Sequence, residues 1–570
     1  MRFCFPALFL CGCLGAQTIE IVNGRVFDGT GPAVKSGRIY IRGERLRISE
    51  VSLPADRTID AAGLTILPGL FDLHTHLAAS GSSARADWGK NLKSYLLNGV
   101  TDVVDMSTYP ETYEPMRRML KLFSAPHDFI AARITTPGGH GAEAGRGDIF
   151  SLEVLTPREG RRAVQRVLAD HPDLIKVFTD GWRYNTAPDM TSMDEATLAA
   201  IVDEAHKNGL PVLTHTVTLG RAKMAARAGV DVLAHGIGDA YVDAELIGLL
   251  KEHHTTYVST LAVYEPRGTP SKERGARWAN LIHNVAALRD AGITLAVGTD
   301  AGEPGTPHGA ATQHELELLV RAGLTPREAL MAGTFNSARA LRVAEDRGTI
   351  ANGMRADLVL VEGAPGENIA DIHKIRRVFL SGRDVDLAQL SREVAQPGPT
   401  PLPAIAAQPL IDDFERQDGR SNLGTLPINN TDAGHDHSRI LYTRITRSGA
   451  NHAMSVIARM SEKDKPFARF LIPLSRGGFE PVDASRFHGI SMQVRGDGQY
   501  SEVLLSRTSA FTAGFTASGH WQTVKIPFSA FQAEKGQAVW TGRDLTLAGV
   551  ELARPAGQTV WLELDQVKFW

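Results

Sequence analysis

The strongest constraint on the fold is a regular alternation of short apolar strands and helical stretches between Ala62 and about Leu341. Eight such strands, alternating with helices over about 280 residues, match a (β/α)8 TIM-type barrel in number and size. The alternative, an open doubly wound sheet, is disfavoured because no glycine-rich dinucleotide fingerprint follows the first strand. The predicted strands are Leu70–His76, Val100–Asp105, Phe129–Thr135, Leu174–Phe178, Pro211–Thr216, Val232–His235, Tyr257–Leu261 and Thr294–Asp300.

Side chains that can bind a metal stand at the ends of these strands. His74 and His76 end the first strand, and the alternation of side chains along a strand places both on one face. His215, His235 and Asp300 lie at or near the ends of the fifth, sixth and eighth strands. Barrel active sites occupy the face formed by the carboxyl ends of the strands, so we expect these side chains to converge on a divalent metal. Taken singly, His235 could instead cap a turn, and Asp300 the next helix.

Lys176 lies in the middle of the apolar strand Leu174–Phe178, where an unpaired ammonium group is costly to bury. A buried lysine is readily deprotonated, and its neutral amine can react with carbon dioxide to give a carbamate that bridges two cations. The alternative is a lysine that reaches the barrel mouth and holds an anionic group of the substrate. We favour the bridging carbamate.

In this order, and after Leu67-Pro68-Gly69-Leu70, these residues resemble the metal-dependent amidohydrolase superfamily over about residues 18 to 386. Further motifs are similar to the branch that contains imidazolonepropionase-like and Xaa-Pro dipeptidase-like enzymes. These motifs are Thr136-Pro137-Gly138-Gly139-His140-Gly141, Val258-Ser259-Thr260-Leu261, His308-Gly309 and His314-Glu315-Leu316.

The resemblance implies two divalent ions, with zinc as the favoured metal. His74, His76 and Asp300 would bind one ion, His215 and His235 the other, and carboxylated Lys176 would bridge them. Imidazolonepropionase itself works with a single metal and no bridging lysine. Lys176 therefore favours the dipeptidase-like group.

Asp300 is the predicted catalytic residue, because a carboxylate that binds the metal and touches the nucleophile can take a proton from water and pass it to the leaving amine. His140 and Tyr264 are candidates for substrate binding. The alternatives are an ordinary loop histidine and an ordinary rim tyrosine. His308 and His314 are weaker candidates that could line the rim or simply begin the last helix.

Residues 1–16 have the features of a signal peptide: Arg2, the apolar run Phe3 to Leu14, and small residues before Gln17. All three cysteines lie in this segment, so cleavage before Gln17 leaves no thiol for a disulfide or a metal site. Leu10-Cys11-Gly12-Cys13 also resembles a lipobox, which leaves a lipid anchor at Cys13 as an alternative. We expect an exported protein, periplasmic or secreted.

The remaining segments predict further domains. Residues 17–61 and 347–386 should form one small composite β domain beside the barrel of residues 62–346, and residues 387–409 form a proline-rich linker. Residues 410–570 alternate short strands and resemble the CIA30 (complex I intermediate-associated protein 30) family, which implies an all-β jelly-roll sandwich. The motifs that carry this resemblance are Ile411–Glu415, Ser421–Thr425, Arg495–Gly498 and Trp521–Phe528. The linker predicts that residues 17 to 395 fold and keep activity on small substrates without the sandwich.

The predicted function is that of an exported amidohydrolase in which a metal-activated hydroxide hydrolyses an amide bond of dipeptides or N-acyl amino acids. The alternatives are a hydrolase of cyclic amides or esters and an inactive barrel that binds a glycan or a protein partner. We expect a small-molecule substrate and no nucleic-acid partner, because the net charge is −3 and no long basic run occurs. No segment after the signal peptide has the features of a membrane span. A glycan contact through the C-terminal domain and a homo-oligomer stay open.

Overall fold

The structure is a computed structural model that describes residues 17–31, 37–78, 87–142, 151–180, 191–432, 436–534, 536 and 538–570. The predicted signal peptide, with Cys13, lies outside these residues. Within the described part of the chain, no helix has the length and apolar character needed to cross a membrane.

The chain opens with short strands that pair around a small apolar core. A four-stranded sheet has the order Arg45–Ser49, Arg38–Arg42, Thr18–Val22 and Arg57–Asp60, while Arg25–Val26 pairs in parallel with Leu64–Pro68 in a second sheet. Ile21, Ile39 and Ile41 are buried between them. These strands are β1 (Thr18–Val22), β2 (Arg25–Val26), β3 (Arg38–Arg42), β4 (Arg45–Ser49), β5 (Arg57–Asp60) and β6 (Leu64–Pro68).

Eight parallel strands then form the barrel, and a ninth, very short strand pairs beside one of them. The barrel strands are β7 (Leu70–Thr75), β8 (Val100–Asp105), β9 (His127–Thr135), β11 (Leu174–Phe178), β12 (Val212–His215), β13 (Val232–Ala234), β14 (Thr256–Val258) and β15 (Leu295–Ala296), with β10 (Leu152–Glu153) beside β9. The first and last strands close the ring where Leu73 donates to the Val297 carbonyl, 2.9 Å, and Asp300 donates to the His74 carbonyl, 2.8 Å. The predicted barrel is confirmed.

The observed strands differ from the predicted ones mainly at their ends. β8 and β11 have the predicted bounds, and every residue of both strands is buried. The seventh strand stops at Val258 instead of Leu261, because Thr260 takes a positive φ of 43° and a short helix, Leu261–Tyr264, begins directly after it. The last strand is also shorter than predicted: it ends at Ala296, and the predicted end, Asp300, has a positive φ of 61°.

Helices surround the barrel, and several begin at sequence signals for a helix start. Thr156 and Glu159 form a capping box at the start of the helix Pro157–Val167. Thr325 and Glu328 form another at the start of the helix Pro326–Met331. The helices are α1 (Trp88–Leu97), α2 (Tyr113–Met119), α3 (Pro157–Val167), α4 (Glu195–Lys207), α5 (Leu219–Arg227), α6 (Ala244–Glu252), α7 (Leu261–Tyr264), α8 (Lys272–Asp290), α9 (Ala310–Arg321), α10 (Pro326–Met331), α11 (Ser337–Ala340) and α12 (Leu387–Ala395).

After the barrel the chain returns to its first strands. β16 (Leu358–Glu362), β17 (Ile375–Leu380) and β18 (Arg383–Asp384) complete a five-stranded sheet in the order β18-β17-β16-β6-β2. β16 runs antiparallel to β6, with Leu360 opposite Ile66. The segment that follows contains α12, which packs against α1 through an ion pair between Lys93 and Glu393, 2.8 Å.

The C-terminal region consists mostly of strands in two sheets around one apolar core. Phe470, Val494, Val550 and Leu562 are among its fully buried side chains. The strands are β19 (Ile405–Ala406), β20 (Leu410–Asp412), β21 (Ile428–Thr431), β22 (Arg439–Ser448), β23 (Asn451–Arg459), β24 (Ala468–Pro473), β25 (Val482–Asp483), β26 (Gly489–Gly496), β27 (Gly498–Ser506), β28 (Ala510–Ala517), β29 (Gln522–Pro527), β30 (Gln532–Ala533), β31 (Leu545–Leu552) and β32 (Thr559–Phe569). We refer to this region as the sandwich.

Candidate metal centre

The carboxyl ends of the barrel strands bring the predicted metal-binding side chains together. Asp300 pairs with His76 at 2.9 Å and with His74 at 3.5 Å, both to Nε2, while its other oxygen lies 3.9 Å from His235 Nδ1. One ligand atom each from His74, His235 and Asp300 lie within 4.8 Å of one another. The His215 ring stands 4.3 Å from the His235 ring, centroid to centroid. All five side chains therefore surround one small volume at this face of the barrel.

Lys176 points into the same volume. Its Nζ atom lies 3.4 Å from His74 Nε2, and the residue is only 1% exposed. Burial lowers the pKa of Lys176 well below its usual value, and the nearby Asp300 carboxylate offsets this only in part. The side chain is thus placed next to the histidines in an environment that favours the neutral amine.

Two of the buried histidines of the site, His74 and His235, are also driven toward their neutral form. Burial, followed by the positive charge of Lys176, lowers the pKa of His74 well below the usual value. Burial and the neighbouring His74 do the same to the pKa of His235. A neutral imidazole has a free lone pair, which is the form that binds a metal.

Three residues around the site have positive φ although they are not glycine: His235 at 77°, Thr260 at 43° and Asp300 at 61°. Such backbone is strained, and it persists only where neighbouring contacts fix it. Thr260 Oγ1 is 3.1 Å from His235 Nδ1, so one strained residue helps to orient another. Two of the six candidate ligands, His235 and Asp300, therefore sit on tightly specified turns at the end of a strand.

Asp72 is a buried carboxylate that fixes the first and last strands to each other. It accepts hydrogen bonds from the backbone of His74 at 3.2 Å and of Thr299 at 3.0 Å, and from the Thr299 and Thr312 hydroxyls at 2.7 Å. Burial raises the pKa of Asp72 to about 6, although these donors counteract it. No role was predicted for Asp72, although a charge inside the apolar run Leu70–Leu73 is the same signal that identified Lys176.

Glu315 is a second buried carboxylate, and it fixes the turn that follows the seventh barrel strand. It is fully buried and accepts hydrogen bonds from Ser259 Oγ at 2.9 Å, Leu261 N at 2.9 Å and Ala262 N at 2.7 Å. These three donors flank Thr260, so Glu315 holds the strained turn that contacts His235. Glu315 belongs to a motif that marked the resemblance, but no role was predicted for it.

The two predicted substrate-binding residues lie at the edge of the cluster. The His140 ring stands 4.2 Å from the His215 ring and 5.1 Å from the Phe178 ring. The Tyr264 ring is 5.9 Å from the His235 ring. Both side chains are therefore close enough to contact a molecule bound at the cluster.

The weaker candidates His308 and His314 have other neighbours. His308 Nδ1 lies 3.0 Å from the Tyr95 hydroxyl, just before α9. His314, within α9, pairs with Glu265 at 2.7 Å and with Glu317 at 3.4 Å. These contacts are sufficient to account for both residues as supports of the barrel rim and of α9.

The donor set fits a divalent metal. It combines neutral imidazole nitrogens with a carboxylate, which are ligands that zinc accepts, and the buried lysine can join them as a carbamate. The histidines and Asp300 come from four different strand ends, so the barrel presents the donors without any need for the chain to fold around the ion. His74, His76, His215, His235, Asp300 and Lys176 are the residues that would hold metal here.

A second histidine–carboxylate group lies at the opposite end of the barrel. One ligand atom each from Asp102, His127 and Asp357 lie within 4.8 Å of one another. His127 Nε2 is 3.1 Å from Asp357, and Arg347 donates to Asp102 at 2.7 Å. Here an arginine of the chain already supplies positive charge.

Histidines, a lysine and an aspartate converge at the carboxyl face of a closed parallel barrel. This arrangement fits a hydrolase with a TIM-type barrel. The chain belongs to the amidohydrolase family, whose pattern it matches over residues 65–385, more than half of its length. It is a hydrolase that acts on carbon–nitrogen bonds. Residues 467–552 match the family of complex I intermediate-associated protein 30 (CIA30).

Individual relatives are more distant. The chain is 28% identical to imidazolonepropionase of Cereibacter sphaeroides, over 62% of this chain and 93% of that protein. It is 25% identical to an uncharacterized protein of Mycobacterium tuberculosis, over 62% of this chain and 98% of the relative.

Solved structures share the fold. A Xaa-Pro dipeptidase with bound methionine in its active site has a TM-score of 0.56 at 24% identity, covering 65% of this chain and 99% of that one. Molinate hydrolase has a TM-score of 0.59 at 23% identity, covering 68% of this chain and 99% of that one. The resemblance to the branch that contains imidazolonepropionase-like and Xaa-Pro dipeptidase-like enzymes is thus confirmed.

Proposed function

We propose that the protein is an exported, metal-dependent amidohydrolase that hydrolyses the amide bond of a dipeptide or an N-acyl amino acid. The observation that carries the proposal is the position of Lys176, buried and 3.4 Å from His74 within the histidine–aspartate cluster. A single-metal site has no need of a lysine at this place. A carboxylated lysine, in contrast, supplies the anion that two neighbouring ions must share.

In this proposal His74, His76, Asp300, His215, His235 and carboxylated Lys176 hold two divalent ions, with zinc as the expected metal. When bound, such ions supply a nucleophile near neutral pH, by lowering the pKa of water to about 7, and polarise the scissile carbonyl. Export rests on the N-terminal segment, whose features are those of a signal peptide. A lipid anchor at Cys13, a glycan contact of the sandwich and a homo-oligomer stay as predictions from the sequence.

The side chains of the chain would divide the remaining work. Asp300 accepts the proton of the attacking water and passes it to the leaving amine, because its carboxylate is at the centre of the cluster. His140 and Tyr264, at the edge, would bind and orient the substrate. Asp72 and Glu315 keep His74 and His235 in place through the hydrogen bonds described above.

The test is a screen of dipeptides, N-acyl amino acids, cyclic amides and esters with zinc-loaded protein, with Asp300→Asn as the matched control. We expect turnover of a dipeptide or an N-acyl amino acid by the natural protein and a strong loss in the variant. Turnover confined to cyclic amides or esters would favour the alternative hydrolase. Absence of turnover in all four classes, with the metal bound, would contradict the proposal and favour a barrel that only binds.

A further inference from the structure

The sandwich packs directly on the barrel segment that follows β8. The Tyr109 hydroxyl donates to the Gly477 carbonyl, and the Glu111 carboxylate pairs with both terminal nitrogens of Arg420, at 3.0 and 3.1 Å. Glu111 is buried, 6% exposed, so this is not a loose surface pair. A Cβ atom at Gly477 would lie 2.4 Å from Thr112 Cγ2, which shows how closely the two backbones approach.

Further contacts extend this interface on both sides. Arg118 of α2 pairs with Glu480 at 2.7 Å, and Asp170 pairs with Arg476 at 3.2 Å. At the start of α1, the Trp88 ring meets the Phe479 ring edge-on, with centroids 5.1 Å apart. Charges of opposite sign face each other in each ionic contact. The fit is therefore specific and complementary, and it involves the turn 476–480 of the sandwich.

One carboxylate connects this interface to the candidate metal centre. Asp105, the last residue of β8, accepts hydrogen bonds from Ser107 N and Oγ, both at 2.9 Å, and from the Thr108 hydroxyl. The Oδ1 atom of Asp105, which accepts the two hydrogen bonds from Ser107, also accepts one from the backbone of Leu77 at 3.4 Å. Leu77 directly follows the candidate ligand His76. The segment that carries Tyr109 and Glu111 is thus tied to the turn that follows His76.

We propose that the sandwich is a structural part of the active-site rim rather than an independent module. By holding residues 109–112 it fixes Asp105, and Asp105 in turn fixes the turn after His76. Asp105 and Glu111 are then positioning residues, and Arg420 is their partner in the sandwich. The kinetic part of this inference rests on the proposed function. It is opposed to the expectation that residues 17 to 395 work equally well alone.

Two adjacent glycines provide a matched test in the full chain. Gly477 and Gly478 have nearly the same positive φ, 64° and 65°, so alanine adds similar backbone strain at either position. At Gly477 the new methyl group meets Thr112 of the barrel, whereas at Gly478 it meets Leu547 and Thr546 inside the sandwich. Gly477→Ala is therefore a wedge between barrel and sandwich, and Gly478→Ala is its control.

The first readout is hydrogen exchange, which needs no substrate. We expect the Leu77 amide to exchange at least about tenfold faster in Gly477→Ala than in Gly478→Ala, with the Val258 amide of β14 unchanged. Equal acceleration of both amides would indicate general destabilisation and overturn the proposal. An unchanged exchange rate of the Leu77 amide would also overturn the proposal. The hydrogen-exchange experiment does not depend on turnover. It therefore still tests this inference if the proposed function is wrong.

The second readout is kinetic, with the substrate found in the screen. Small displacements at a reacting centre cost up to about 100-fold in rate, so we expect kcat/KM to fall about tenfold or more in Gly477→Ala, at unchanged metal content. If that variant does not fold, Arg420→Ala replaces it, with Arg495→Ala as control. Arg495 also forms a two-point ion pair, with Glu563 at 2.7 and 2.8 Å, but inside the sandwich. Equal kcat/KM and equal Leu77 exchange in Arg420→Ala and Arg495→Ala would overturn the proposal.

Discussion

The two ends of the barrel hold similar residues in different electrostatic settings. At the carboxyl face, Asp300 is surrounded by His74, His76 and His235. At the amino face, Asp102 and Asp357 stand beside His127. Both groups bring ligand atoms within 4.8 Å of one another, so proximity alone does not distinguish a metal site from a salt-bridge cluster.

The difference lies in the source of positive charge. At the amino face Arg347 donates to Asp102 at 2.7 Å and to Asp346 at 2.9 Å, so the arginine occupies the place that a cation would take. At the carboxyl face, burial lowers the pKa of Lys176 well below its usual value. That end presents neutral donors around a carboxylate, which an added cation would stabilise. We conclude that charge balance, more than residue type, distinguishes a candidate metal site from a cluster that only stabilises the fold.

The largest expected effect comes from changing one carboxylate at each end. Asp300→Asn keeps an oxygen at the site but cannot accept a proton, so kcat should fall by about 10²–10⁴-fold while substrate binding changes little. Asp102→Asn should leave kcat near that of the natural protein, because Asp102 lies at the other face. Steady-state kinetics of both variants measure this contrast. A kcat within about threefold of the natural value for Asp300→Asn would rule out its role as proton carrier.

The next effect is on stability. Arg347→Ala removes the partner of Asp102, which is fully buried, and leaves that carboxylate without its cation. Breaking a buried ion pair in this way typically costs about 3–5 kcal/mol in free energy of unfolding. Chemical denaturation would measure the loss, with metal content as the second readout. We expect less stability but the same metal content; loss of metal would show that the amino-face cluster contributes to binding.

Barrel strands and candidate ligands followed from the sequence for local reasons. An apolar run such as Leu174–Phe178 contains its own signal, and Lys176 is conspicuous inside it. Asp72 carries the same signal and was overlooked. By contrast, the bounds of the seventh and eighth strands depend on the backbone of Thr260 and Asp300, which takes its form from contacts with distant residues.

The supports of the site could not be predicted because their partners are remote in sequence. Glu315 acts on a turn more than 50 residues earlier, and Glu111 meets Arg420 about 300 residues later. Arg347 likewise reaches back to Asp102. No residue near any of these positions indicates such a contact. The closed barrel and the packed sandwich create these pairs, and only the three-dimensional structure reveals them.

The smallest effect is a pH dependence at the amino face. Partial burial alone would raise the pKa of Asp346, but hydrogen bonds from Arg355, Arg45 and Arg347 outweigh burial and lower it. A carboxylate with a lowered pKa in the folded state stabilises the protein above its unfolded pKa of about 4, and this stability is lost as pH falls further. The loss of folding stability at acid pH that is due to Asp346, on the order of 1 kcal/mol, should be absent in Asp346→Asn. Unfolding curves between pH 6 and pH 3 measure it, and identical pH profiles would contradict this assignment.

The most direct test of the central claim is the metal content of three proteins: the natural chain, His74→Ala and His127→Ala. Elemental analysis of metal-replete protein should give about two divalent ions per chain for the natural protein and for His127→Ala, because His127 belongs to the cluster that Arg347 already neutralises. His74→Ala should lose metal. One ion per chain, with Lys176 unmodified in the electron density of a crystal structure, would contradict the binuclear site. Loss of metal in His127→Ala and not in His74→Ala would contradict the assignment of the two ends.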